Sequence, residues 1–162
     1  MTPPNLLLGH AYGDGYPVVG ITFSAAQEYA RWHAAENGRP SRLPLAREWL
    51  RAARGEAGRV YPWGWTFEPA YCVWGGGWLG GRPQPVGRAP QDRTLAGVSD
   101  LAGSVSEWLL DASDSGPYRR LVAGGSWSSP AGATDLGTLR ARAESRPGTD
   151  LGFRLVMSLP SL

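Results

Sequence analysis

Two glycine-containing segments near the C-terminus constrain most strongly what this chain can fold into. The first, Gly124-Gly125-Ser126-Trp127, predicts a strand start whose backbone lies close to a neighbouring element, because glycine has no Cβ to prevent the approach. The second, Gly152-Phe153-Arg154-Leu155-Val156, predicts a buried strand bounded by a glycine. The run from Ser128 to Thr138 between them has no hydrophobic periodicity. We expect a long loop there, and long loops in compact domains are usually functional or disordered.

The composition indicates one loop-rich globular domain spanning residues 1–162. Glycine (23) and proline (14) are abundant, and only 19% of the residues are charged. The basic residues are all arginine and are scattered, and the formal charge is only +2, so we expect no nucleic-acid partner. The N-terminus has no basic region before its apolar residues, and no segment approaches the roughly 18 apolar residues of a membrane span. We therefore expect no export signal and no membrane partner, and a location that is cytoplasmic or that the sequence leaves unknown.

Hydrophobic periodicity predicts two amphipathic helices after an irregular N-terminal arm at residues 1–15, which is expected to close over the domain or to pair with its C-terminal strand. A short strand is predicted at residues 16–23, and a helix from the capping-box spacing of Ser24 and Gln27 to Asn37-Gly38. A second helix is predicted between Pro44 and Gly55. The inward-facing positions of the first helix are Ala26, Tyr29, Ala30 and His33, and those of the second are Ala46, Trp49, Leu50 and Ala53.

Further segments match one protein family in the same order along the chain. They are Arg42-Leu43-Pro44-Leu45-Ala46-Arg47-Glu48-Trp49, Ala52-Ala53-Arg54-Gly55 and Tyr61-Pro62-Trp63-Gly64. With the two C-terminal segments, they resemble the formylglycine-generating enzyme (sulfatase-modifying factor) domain, a variant of the C-type lectin fold. The resemblance implies an α+β, C-type-lectin-like fold with two helices around twisted antiparallel sheets. Leu45 stands where the family usually has a capping threonine, which weakens this helix start by about 1 kcal/mol.

The segment from Ser99 to Trp108 resembles a calcium-binding motif of the same family. The resemblance implies one structural calcium ion, held by the side chains of Asp100 and Glu107 and by the carbonyls of Gly103 and Val105. Calcium prefers such oxygen ligands. The alternative is that the two carboxylates cap a turn or pair with arginines such as Arg154.

The family's oxidases bind copper through two cysteines that follow the Gly-Gly-Ser-aromatic segment. Here the corresponding positions hold Ser129 and Thr134, and the only cysteine is Cys72. Hydroxyls cannot replace thiolates as Cu(I) ligands, so we expect neither copper nor the parent enzymatic activity. The histidines His10 and His33 cannot complete a zinc cluster with one cysteine. No catalytic residues are expected, and Asp111, Asp114 and Asp135 are interpreted as turn residues.

The most similar non-enzymatic branch is the variable protein of diversity-generating retroelements, in which a C-terminal loop is diversified as a ligand-binding surface. The resemblance implies a variable ligand-binding region at residues 123–156 that recognises an unknown protein or small molecule. Its exposed binding residues would be Ser128, Ser129, Ala131, Ala133, Thr134, Asp135 and Thr138, while Trp127 and Phe153 would be buried and Arg140, Arg142 and Arg146 would brace the loop. The alternatives are a degenerate or divergent formylglycine-generating oxidase-like enzyme, an ordinary surface loop, and a structural subunit.

Overall fold

Two α-helices and eight short strands form the part of the chain that the computed structural model describes, residues 5–7, 10–12, 14–77 and 81–157. Only the backbone is described for the first two of these ranges. In chain order the elements are β1 (Asn5–Leu7), β2 (His10–Tyr12), α1 (Phe23–Asn37), β3 (Ser41–Arg42), α2 (Ala46–Arg54), β4 (Ser106–Ala112), β5 (Arg119–Ala123), β6 (Arg140–Ala143), β7 (Leu151–Gly152) and β8 (Val156–Met157).

The largest sheet has the strand order β6, β5, β4, β7. β5 is antiparallel to both of its neighbours, β6 and β4, whereas β4 and β7 are parallel. The sheet is therefore mixed rather than purely antiparallel. β3 and β8 form a small antiparallel ladder, and β1 pairs with β2. Helices therefore combine with curled, mostly antiparallel sheets, which confirms the α+β class.

The N-terminal predictions are partly wrong. Residues 16–22 do not form a strand but are attached through isolated hydrogen bonds, such as that from Gly20 N–H to the carbonyl of Gly148 (3.0 Å). Gly20 has a φ of 73°, which a regular ladder does not accommodate. The arm contains the β1–β2 hairpin, and β8 pairs with β3 instead of with the arm. The rest of the arm, residues 1–4, 8, 9 and 13, lies outside the described residues.

The first helix begins at Phe23, capped by Thr22 rather than by Ser24. The Thr22 hydroxyl accepts a hydrogen bond from the N–H of Ala25 at 3.3 Å. Gly38, with a φ of 62°, ends the helix as predicted. Ala26 and Ala30 are buried, but Tyr29 is 45% exposed, so the prediction of Tyr29 as an inward-facing residue is wrong.

The two glycines after β5 permit a close backbone approach, as predicted. A Cβ at Gly125 would lie 2.3 Å from the carbonyl oxygen of Ala102, and one at Gly124 would lie 2.8 Å from that of Leu101. Gly124 also has a φ of 76°, which glycine adopts readily. The segment leaves a strand rather than starting one, because β5 ends at Ala123.

The segment after Leu151 is not one continuous strand. β7 ends at Gly152, next to β4, and β8 begins at Val156, next to β3, so the chain crosses between two sheets at residues 153–155. Phe153 is accordingly half-buried, and the prediction that it is buried is wrong. Trp127, in contrast, is buried as predicted.

The main core lies between α2 and the mixed sheet. Its buried members include Trp49, Ala53, Leu109, Ala123 and Leu136. A second cluster packs Phe23 of α1 edge-on against Trp108 of β4, with ring centroids 5.9 Å apart. Among the described residues, neither helix has the length and apolar character needed to cross a lipid bilayer.

Candidate functional site

The run from Ser128 to Thr138 folds back on the core and contains a short 3₁₀ turn at Ala131–Ala133. Of the residues predicted to be exposed, Ser128 is exposed, and Ala131, Ala133, Asp135 and Thr138 are half-buried. Ser129 and Thr134 are buried, so their predicted exposure is wrong. Leu136 is fully buried and anchors the second half of the run.

The polar groups of Ser129 form hydrogen bonds inside the protein, which offset the cost of burying this residue. Its hydroxyl lies 2.8 Å from the hydroxyl of Ser126 and accepts a hydrogen bond from the N–H of Ser126 at 3.0 Å. Its carbonyl accepts a hydrogen bond from the N–H of Gly75 at 2.8 Å. These bonds attach the first half of the loop to the strand exit and to the glycine-rich segment.

Thr134 anchors the middle of the loop. Its hydroxyl donates to the carbonyl of Ala131 at 2.7 Å, and its methyl group occupies space beside Gly125, where a Cβ would lie 2.9 Å away. Tyr61 packs in the neighbouring core cluster, and burial raises the pKa of its phenol. Ser129 and Thr134, the two positions that the resemblance matches to cysteines, therefore both hold hydroxyls that bond within the protein.

Cys72 is a core thiol rather than an exposed thiolate. It is buried, and burial raises the pKa of its thiol to about 12, so the thiol is neutral at physiological pH. It belongs to the apolar cluster of Trp49 and Leu101. Among the described residues, no group of three or more His, Cys, Asp or Glu side chains is placed to hold a metal ion. Nδ1 of His33 lies at hydrogen-bond distance, 3.0 Å, from the Ser41 hydroxyl.

Two of the three predicted arginine braces are present. Arg140 donates to the carbonyls of Ala133 (3.2 Å) and Gly124 and to the Ser106 hydroxyl (2.9 Å). Arg142 pairs with Asp150 at 3.6 Å. Arg146 is exposed, and within the part of the chain that the structure describes no side-chain hydrogen bond or ion pair supports the bracing role predicted for it.

Asp150 is a site residue that the sequence did not reveal. Its Oδ2 accepts hydrogen bonds from the hydroxyls of Ser126 (3.0 Å) and Ser128 (2.7 Å). It therefore connects both ends of the loop region, although Asp150 and Ser126 are 24 positions apart. No local pattern indicates such a long-range bond.

Asp92 is a second residue that sequence reasoning missed. It is 1% exposed, and its carboxylate accepts hydrogen bonds from the backbone N–H groups of Leu101, Ala102 and Gly103. Burial raises the pKa of Asp92 to about 7, although these donors favour its charged form. Asp92 fixes the turn whose carbonyls contact Gly124 and Gly125.

Three of the four calcium ligands implied by the resemblance, Asp100, Val105 and Glu107, line one open cleft. Glu107 accepts hydrogen bonds from Nε and Nη2 of Arg154, both at 2.6 Å, and from Nε1 of Trp49 at 2.7 Å. Asp100 accepts one from the N–H of Gly87 at 2.7 Å. The oxygen donors suit calcium chemically, but an ion there would share Glu107 with a guanidinium. Calcium at Asp100, Gly103, Val105 and Glu107 stays a prediction.

Residues 7–159 of the chain match a family described as "Sulfatase-modifying factor enzyme 1-like domain". An "Inactive C-alpha-formylglycine-generating enzyme 2" of Mus musculus is 33% identical in an alignment of 160 residues that covers 88% of this chain and 49% of that protein. A "Formylglycine-generating enzyme" of Mycobacterium tuberculosis is 36% identical in an alignment of 106 residues that covers 58% of this chain and 33% of that protein. The chain thus spans about half the length, or less, of these curated relatives.

Solved structures agree with the fold. "Treponema denticola variable protein 1" superposes with a TM-score of 0.77 at 20% identity, covering 95% of this chain and 74% of that one. PvdO of Pseudomonas aeruginosa superposes with a TM-score of 0.81 at 21% identity, covering 93% and 65%. These likenesses confirm the C-type-lectin-like variant of the formylglycine-generating enzymes as the fold.

Proposed function

The chain belongs to the sulfatase-modifying factor enzyme 1-like domain family, and we propose that within this family it is a non-catalytic ligand-binding protein. Its binding surface is the outward-facing part of the loop at residues 128–138, displayed on the C-type-lectin-like scaffold. The ligand is a protein or a small molecule, and neither nucleic acid nor membrane is a proposed partner.

One observation carries the non-catalytic half of the proposal. Ser129 and Thr134 stand at the positions of the family's copper-binding cysteines, and their hydroxyls are committed to Ser126 and to the Ala131 carbonyl. A hydroxyl is too hard a donor to hold Cu(I) and cannot be a redox partner. The likeness to an inactive formylglycine-generating enzyme 2 supports the same reading. The oxidase alternative would have to act with the single buried thiol of Cys72.

The binding half of the proposal rests on how the loop divides between buried and outward-facing positions. Ser129, Thr134 and Leu136 are anchors, and substitutions there act on the fold. Ser128, Ala131, Ala133, Asp135 and Thr138 remain as the proposed contact positions. The Asp135 carboxylate also accepts a hydrogen bond from the N–H of Gly137 at 2.6 Å, so it shapes a turn. Rigid anchors with outward-facing positions between them suit a binding loop.

The likeness in fold to a variable protein supports a specific version of this proposal, in which the loop is diversified by a retroelement. The coding neighbourhood tests it. We expect a reverse-transcriptase gene and a near-copy of the segment encoding Ser128 to Arg154 that differs from it at adenines. Substitutions in that copy should avoid Ser129, Thr134 and Leu136. A neighbourhood with neither element would contradict diversification.

A further inference from the structure

A cleft lies at the C-terminal end of α2, away from the implied calcium turn. It is open, has a volume of about 580 Å³, and is walled on the opposite side by residues 94–96. Cavities of roughly 300–1,000 Å³ are typical of small-molecule sites. The polar side chains in its lining are Arg51, Arg54, Arg59, Glu56 and Thr94.

The cleft is positively charged. Three arginines against one glutamate leave its lining with a net charge of +2. Glu56 pairs with Nη2 of Arg51, and Arg54 donates Nε and Nη2 to the carbonyls of Arg59 (2.9 Å) and Gly58 (2.8 Å). Arg59 donates Nη1 to the Pro62 carbonyl at a long 3.5 Å. Because each guanidinium has five N–H donors, most of these donors are left for an acceptor from outside.

The same cleft has an apolar wall. Leu95 is 87% exposed, the most exposed of the large apolar side chains described, and Ala52, Ala96 and Pro62 line the cleft beside it. Guanidinium groups match carboxylate and phosphate oxygens in pairs, whereas an apolar wall favours a hydrocarbon body. A ligand that combines an oxyanion with an apolar group would use both surfaces.

At Gly137 the loop lies next to Arg54, one of the residues that line this cleft. A Cβ at Gly137 would lie 3.4 Å from Nη1 of Arg54, on the cleft wall, and 3.2 Å from Oδ1 of Asp135. Both atoms are at the ends of side chains that can shift, so a larger residue at position 137 would extend over the rim. Gly132, in contrast, has open space around its Cβ position and does not approach the cleft.

We propose that this cleft binds an organic oxyanion, a carboxylate or phosphate carried by an apolar body, and that residue 137 of the loop sets what fits at its rim. The inference rests on the proposed ligand-binding function and names the chemistry of its ligand. Arg51 and Arg59 bind the oxyanion, and Leu95 contacts the apolar body. Arg54 stabilises the cleft lining through its hydrogen bonds to the carbonyls of Gly58 and Arg59.

Binding of simple probes tests the proposal. The intact protein is titrated with benzoate and phenyl phosphate, with the uncharged benzamide as the matched control, and amide chemical shifts are followed by NMR. We expect both anions, but not benzamide, to shift resonances of residues 51–59 and 94–96. A phosphate-only or carboxylate-only response would identify which oxyanion the cleft accepts. Equal responses to benzoate and benzamide, or none to any probe, would overturn the proposal.

Four variants then test the charge and the apolar wall. Arg59→Gln and Leu95→Glu should each lower the affinity for phenyl phosphate and benzoate by about tenfold or more. The first removes a positive charge that attracts the anion, and the second adds a negative charge that repels it. Glu56→Gln should tighten binding, because it frees Arg51. Arg47→Gln, an exposed change on the same helix outside the cleft, is the control for net charge and should leave affinity unchanged. Equal losses in Arg47→Gln and Arg59→Gln would indicate non-specific attraction and overturn the proposal.

Gly137→Leu and Gly132→Leu test the connection to the loop. Only the first should change the affinity for phenyl phosphate. A ligand whose binding depends on the loop residues but is unaffected by the substitutions in the cleft would overturn the cleft proposal. That result would leave the proposed ligand-binding function standing. Formylglycine production, measured separately, would instead overturn the proposed function.

Discussion

The carboxylate of Asp111 accepts a hydrogen bond from the backbone N–H of Ala46 at 2.7 Å, across 65 positions of sequence. Ala46 is the first residue of α2, and the side chain of Leu45 before it has no oxygen to cap the helix. Glu48 reaches back to the N–H of Leu45 at 2.8 Å. Two carboxylates thus satisfy N–H groups at a helix start that lacks its usual threonine, and the interpretation of Asp111 as a turn residue is wrong.

Removing this cap should destabilise the protein measurably. We expect Asp111→Ala to lower the free energy of unfolding by about 1 kcal/mol, the usual cost of losing a helix cap. Urea denaturation measures the change, and Asp114→Ala, at an exposed turn position, is the control. Leu45→Thr should restore most of the loss in the Asp111→Ala background. Equal effects of the two aspartate substitutions would contradict the capping role.

The Glu107–Arg154 pair should contribute more than the surface pairs. Glu107→Gln leaves the largely buried guanidinium of Arg154 without its counter-charge, so we expect a loss of about 3 kcal/mol. Glu56→Gln breaks an exposed pair with Arg51 and should cost at most about 1 kcal/mol. Chemical denaturation of both variants at one pH gives the comparison. Similar small losses in both would show that Glu107 is not held as described.

Two matched pairs of substitutions separate anchors from display positions. Thr134→Val and Ser129→Ala remove the hydroxyls of buried residues and should each cost about 1–2 kcal/mol, because each loses hydrogen bonds made inside the protein. Thr138→Val and Ser128→Ala, at half-buried and exposed positions, should stay within about 0.5–1 kcal/mol. Thermal melts of the four variants suffice. An inverted order would contradict the division of the loop into anchors and contacts.

The calcium prediction is testable by chelation. An ion that binds only the native state raises stability by about 2.7 kcal/mol at a hundredfold excess over its Kd. If Asp100 and Glu107 hold calcium, EDTA should lower the melting temperature of wild-type protein, and it should not affect Asp100→Ala. A melting curve indifferent to EDTA and to added calcium, in protein shown to be metal-free, would remove the ion and leave Arg154 as the cation at Glu107.

The sequence predicted the parts of the fold that local patterns determine. The periodicity of α2, the terminal Gly38 and Gly55, and the close approach at Gly124 and Gly125 are all short-range features, and the structure confirms them. Several strands contain only two residues, too few to produce an alternating pattern, so the segment after Leu151 was predicted as one strand.

The candidate site was predicted less well because its contacts are long-range. Asp92 and Asp150 bond groups 9 to 24 positions away, and no local pattern in the sequence indicates such a partner. Ser129 and Thr134 are residue types common in surface loops. They are buried only because the loop packs back against Gly125 and Tyr61. Polar residues whose hydrogen bonds are satisfied internally cannot be told from exposed ones by composition.

The central claim, that this domain lacks the oxidase chemistry of its family, is tested most directly by mass spectrometry of a cysteine-containing sulfatase peptide. The peptide is incubated with the copper-treated protein in air, with copper alone and with the Cys72→Ser variant as controls. If Ser129 and Thr134 stand at the positions of the family's two cysteines, as proposed, no thiolate pair is present there, and we expect no formylglycine above the copper-only control. Formylglycine produced catalytically by the wild-type protein, and lost in Cys72→Ser, would contradict the account.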